Sequence, residues 1–132
     1  MSQFSAYTKV NVETSTTTQI MIALFQAALR NMRGSAGAFD RGDYRTGSEM
    51  AEKAATIVLG LQATLKAEIA PDLCQRLSEL YTFVACRLGV AGVKFSSQHV
   101  REAESVFSPI AQAFVQAATK TGESPMAIAE RR

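Results

Sequence analysis

Leu73-Cys-Gln-Arg-Leu77-Ser-Glu-Leu80-Tyr81-Thr-Phe83-Val84-Ala-Cys86-Arg87-Leu88-Gly-Val-Ala91 repeats its apolar residues at three- and four-residue intervals. At 100° per residue, Leu73, Leu77, Leu80, Tyr81, Val84, Leu88 and Ala91 fall within about a third of a helix circumference. Such a stripe needs neighbouring helices to bury it, and the rest of the chain supplies three. The stretch lacks the residues a reaction centre would need, so it reads as packing surface. Cys74 borders the stripe as a small core residue, whereas Cys86 sits on the opposite arc. Twelve positions along one helix separate them by about 18 Å, too far for a disulfide, which needs Cα atoms within about 7 Å. Two free thiols fit a reducing cytoplasm.

Working upstream, Pro71 and Asp72 open this helix, where proline at a first-turn position costs nothing. A second helix over 43–67 places Met50, Ala54, Ile57, Val58, Leu61 and Leu65 on one wedge, with Asp43 as its cap. Leu59 points the other way, beside Ala55 and Ala63. It reads either as an ordinary exposed leucine or as a contact for a partner. A first helix over 17–39 is apolar over more than half its circumference, through Ile20, Met21, Ile22, Leu24, Phe25, Leu29 and Met32. It must touch more than one neighbour. Thr16 and Gln19 match a capping box at its start. Thr14, Ser15, Thr16, Thr17 and Thr18 together disfavour helix, so residues 1–15 are expected as an extended arm with Tyr7, Val10 and Val12 as its apolar points.

Downstream, Gly89, Gly92 and Ser96-Ser97 mark a turn. A fourth helix over 97–119 aligns Val100, Ala103, Val106, Phe107, Ile110, Phe114 and Ala117. Pro109 inside it should kink it or split it in two. Residues 121–132 are expected as a flexible tail or a short fifth helix. The expected fold is therefore all-α, an antiparallel four-helix bundle over 16–120 preceded by the extended arm.

The bulk properties agree. A chain of 132 residues, 47% hydrophobic and 20% charged, is sized and composed for one packed domain. A net charge of +2, with no Lys/Arg run interleaved with aromatics, leaves no nucleic-acid footprint. No apolar run reaches the roughly 18 residues of a membrane span, and the N-terminus has no secretory signal. His99 is the sole histidine and has no companion ligand at metal spacing. Bundle di-metal sites require several inward Glu and Glu-x-x-His pairs, which the chain lacks. Glu102 and Glu104 lie on arcs about 160° apart and cannot converge. No phosphate-binding glycine loop occurs, and no serine or cysteine has an evident base. The expectation is a protein that is no enzyme and uses neither cofactor nor metal.

Four stretches together resemble the flagellin-specific export chaperones. Tyr7-Thr-Lys-Val10-Asn-Val12-Glu-Thr14 is similar to the family's Tyr-x-x-x-x-Val-x-Thr opening. Ile20-Met-Ile-Ala-Leu24-Phe25 stands where the family has Leu-Ile-x-Met-Leu-Tyr/Phe. Lys53-Ala54-Ala-Thr-Ile57-Val-Leu59-Gly-Leu61 resembles Lys-Ala-x-x-Ile-Ile-x-x-Leu. Leu77-Ser-Glu-Leu80-Tyr81-Thr-Phe83, followed by Arg87-Leu88 and Ala91, is close to Leu-x-x-Leu-Tyr-x-Tyr and Arg-Leu-x-x-Ala. The order and spacing hold in one register from about residue 7 to 117. Departures include Thr16-Thr17 for Ser-Pro, Gln26-Ala27 for Asp-Gly, Ala70-Pro71-Asp72 for Gly-Gly-Glu, Arg76 for Asn, Gly92 for Asn and Phe114 for Trp. They leave the client open between ordinary flagellin and an alternative filament subunit.

The resemblance implies a cytoplasmic chaperone that binds the disordered C-terminal segment of flagellin. The segment would fold into helical pieces along grooves of the bundle, which prevents premature polymerisation before delivery to the export gate. It also implies that the arm, through Tyr7, Val10 and Val12, covers part of the groove when it is empty. Leu77, Leu80 and Tyr81 match motif positions that mainly build the bundle, as do Leu24, Phe25 and Val84. Leu59 and Phe83 leave the principal wedges and are the better groove candidates. No nucleic acid or membrane insertion is expected, and the free protein is expected as a monomer or weak homodimer. The competing reading is a helical adaptor or oligomer-forming bundle that takes some other peptide.

Overall fold

Asp43 begins the second helix as its spacing predicts: its carboxylate accepts a hydrogen bond from the Thr46 amide at 3.3 Å, while Gly42 takes a φ of 79° to make the turn. In the computed structural model, which describes residues 2–121 and the side chains of 16–119, four helices follow one another: α1 (Ser2–Asp40), α2 (Tyr44–Ala63), α3 (Pro71–Lys94) and α4 (Ser97–Thr121). No strand occurs among the described residues. Helix α3 starts on Pro71 and ends on Phe95, whose φ of 55° puts a bulky residue in the left-handed region that glycine usually fills. The Phe95 and Ser96 amides both donate to the Ala91 carbonyl, closing the helix end.

Three expectations are corrected. The extended arm and the capping box at Thr16 do not form, because α1 is helical from Ser2 through the Thr14–Thr18 run. Each β-branched residue costs only a few tenths of a kcal/mol in a helix, and neither Gly nor Pro interrupts the chain between Ser2 and Arg33. Nor does Pro109 divide α4, which is continuous from Ser97 to Thr121. Pro109 and Ser105 are both exposed, so the carbonyl that loses its amide partner faces water. The side chains of Tyr7, Val10 and Val12 lie outside those described, and the tail over 122–132 lies outside the described residues.

Short connections make successive helices antiparallel. Helix α1 packs against α2 and α4, and α3 packs against the same two, so α1 and α3 are diagonal across a four-cornered bundle. The stripes meet at the centre: Phe25 stacks on Phe114 at 4.7 Å and on Phe107 at 5.7 Å, with Tyr81 tilted against Phe107 at 6.1 Å. Met32, Val58, Leu61, Val84, Leu88 and Val100 complete the buried layers. Near the α1–α2 turn the backbones come close. The buried Ser35 hydroxyl donates to the Gly47 carbonyl at 2.6 Å, and a Cβ on Gly47 would lie 2.4 Å from the Phe39 ring. Among the described residues no helix is long and apolar enough to cross a membrane.

Candidate functional site

Helix α3 presents two edges of different chemistry. Along the α2 edge, Gln62 Nε2 donates to the Ser78 carbonyl and hydroxyl and to Thr82 Oγ1 at 2.9–3.0 Å, and Ser48 Oγ donates to the Gly92 carbonyl at 2.9 Å. Leu59 stands three residues before Gln62 and is 50% exposed, so this groove has polar cross-links and an apolar rim. Along the α4 edge, Arg87 Nε lies 3.4 Å from Glu102 Oε2 and the guanidinium carbon lies 5.2 Å from the Phe83 ring centroid. Leu80 and Phe83 are each 39% exposed on this side. Val106 and Ile110 follow Glu102 by four and eight residues, which puts them on the same stripe of α4, half-buried against the core with Leu77.

The sequence-derived candidates thus separate. Leu59 and Phe83 point outward as their wheel positions predict, but they border different grooves, one on each side of α3. Leu80 belongs to the apolar stripe by angle yet lies at its solvent edge, beside Phe83. Leu77 is half-buried. Tyr81 is corrected as a contact residue: it is 3% exposed, and burial pushes its phenol up to about 12. Its role is in the core.

Sequence reading missed Ile20, Leu24, Tyr44, Val93 and Phe95, all large apolar side chains left exposed. Ile20 and Leu24 sat inside an apolar run so broad that no face of it could be singled out as surface. Tyr44 stacks on Phe95 at 4.9 Å at one end of the bundle, and Phe95 in turn reaches the buried Phe39 at 6.4 Å. Their positions beside turn residues were the available signal. A shallow depression of about 500 Å³ lies between α1 and α2, lined by Asn31, Glu49, Glu52, Lys53, Thr56 and Ile57.

One serine does meet a base, against expectation: Ser96 Oγ and His99 Nδ1 are 2.7 Å apart. The same oxygen accepts the His99 amide at 3.3 Å, so the contact closes the first turn of α4. No other hydrogen bond orients the imidazole among the described residues, as a catalytic base would require. No cluster of His, Cys, Asp or Glu among those residues could hold a metal ion. Cys74 is buried and Cys86 exposed.

Fold and surface together define a four-helix bundle whose apolar stripes are not all spent on its own core. The chain belongs to the flagellar protein FliS family, whose sequence pattern matches residues 1–121. It is 31% identical over 124 residues to the flagellar secretion chaperone FliS of Salmonella typhimurium strain LT2, covering 90% of this chain and 92% of that one. Family membership makes secretion chaperone in flagellum assembly its coarse role.

Proposed function

We propose that this chain binds the disordered C-terminal segment of flagellin, or of a flagellin-like filament subunit, in the cytoplasm and releases it to the export gate. The observation that carries this reading is the exposure of Leu59 on one edge of α3 and of Leu80 and Phe83 on the other, in a chain of this family. An amphipathic segment laid along such edges gains about 25 cal/mol per Å² of apolar surface buried, less about 2–5 kcal/mol for ordering a disordered chain. Covering the segment's apolar stripes keeps them from pairing with other subunits, which is how binding would prevent premature polymerisation. Tyr7, Val10 and Val12 would compete with the client for this surface. The Thr14–Thr18 run is a weak point of α1 by propensity, and the segment before it would leave the helix there to do so.

Calorimetry of the purified chain against C-terminal flagellin segments from the same organism tests the reading. Saturable binding with a strongly negative heat-capacity change and a gain of helicity supports it. Absence of saturable binding to any such segment rejects it.

A further inference from the structure

We propose that the α3/α4 groove selects an occupant carrying an Asp or Glu beside its apolar stripe, and that Arg87 is the specificity-determining residue. This rests on the proposed reading of the grooves as the client surface. Arg87 lies over the Phe83 ring at 5.2 Å, and its Nε lies at the ion-pair distance of 3.4 Å from Glu102 Oε2. Among the described residues none of its N–H groups completes a hydrogen bond. The guanidinium is therefore positioned from two sides, by a ring beneath and a carboxylate beside Nε, while its terminal N–H groups keep their hydrogen-bonding capacity among the described residues. Their fork matches a carboxylate in a planar, two-bond geometry. Arg87 and Glu102 are each 40% exposed in their side chains, so an incoming acid can reach the fork.

The surroundings fix what else the occupant carries. Phe83 lies four residues before Arg87 on α3, and Leu80 three residues before that, so the apolar row runs into the guanidinium along one helix edge. A helical segment that seats an apolar side chain on Phe83 places its next turn beside Arg87. The acid belongs on that turn. Glu102 is the internal stand-in for it and is displaced, or shares the guanidinium, when the segment arrives.

The test titrates the C-terminal flagellin segment into the wild-type chain and into Arg87→Gln, Glu102→Gln and Arg76→Gln at about 50 and about 300 mM salt. Arg87→Gln is expected to weaken binding about tenfold and to flatten its salt dependence, as loss of a charge-assisted contact does. Glu102→Gln is expected to bind as tightly as wild type or more tightly, because it removes the internal competitor. If Arg87 and Glu102 only staple α3 to α4, both variants weaken binding alike, and the inference fails. Arg76→Gln removes an exposed charge from the same helix, and an equal loss there would show a diffuse field in place of a directed contact. Binding by wild type with Arg87→Gln unchanged overturns this inference alone; no binding by wild type overturns the flagellin reading with it.

Discussion

Tyr81 and Phe83 are two residues apart on α3 and have opposite fates. The phenol of Tyr81 is held among Phe107 and the core side chains, and desolvation disfavours its anion, raising it to about 12 against an ordinary value of 10.0. The unfolded chain releases that proton first, so the Tyr81 contribution to stability is intact below about pH 10 and is lost as pH rises toward 12. A two-unit difference amounts to about 2–3 kcal/mol. Denaturant titrations at rising pH should show this alkaline decline in wild type and a smaller one in Tyr81→Phe. Phe83 and Leu59, by contrast, add little to the interior. Leu59→Ser and Phe83→Ser should each weaken client binding about fivefold or more while moving the melting temperature by less than about 3 °C. A large drop in melting temperature would return either residue to the core.

At the scale of the element, α4 holds the clearest local conflict. Pro109 deletes one backbone hydrogen bond in a helix of 25 residues, yet the helix runs on because its neighbours Val106, Phe107 and Ile110 are fixed against the core. Pro109→Ala should therefore stabilise the bundle by about 1–2 kcal/mol, the helical penalty of proline less its effect on the unfolded chain, as read by thermal melting. Helix α1 makes the complementary point. Its opening run was legible as poor helix former but not as part of a helix. Propensity is a sum of small penalties, and nothing in the run imposes a steric stop.

For the whole molecule, binding at the surface should feed back on the fold. A client that binds only the folded bundle stabilises it by about 2.7 kcal/mol when present at about a hundred times its dissociation constant. The melting temperature of the chain should rise with the concentration of the flagellin segment, and a client-independent melting curve would reject binding to the folded state. The placement of α1 and α3 at opposite corners matters here, because each edge of α3 then closes on a different neighbour. The two edges of α3 therefore differ in chemistry, polar cross-links on the α2 side and apolar side chains with an ion pair on the α4 side.

Helix number, the buried faces of α2, α3 and α4, the starts at Asp43 and Pro71, and the outward direction of Leu59 and Phe83 all follow from local periodicity and capping. Those properties depend on residues within one or two turns of each other, so a linear reading reaches them. Which helix stands beside each edge of α3 depends on residues far apart in the chain, as in the pairing of Gln62 with Thr82 or of Arg87 with Glu102. A helical wheel supplies an angle but no neighbour. The assignment of Leu59 to a cross-linked polar groove, and of Phe83 to an apolar one beneath the Arg87 guanidinium, therefore came only from the packed bundle.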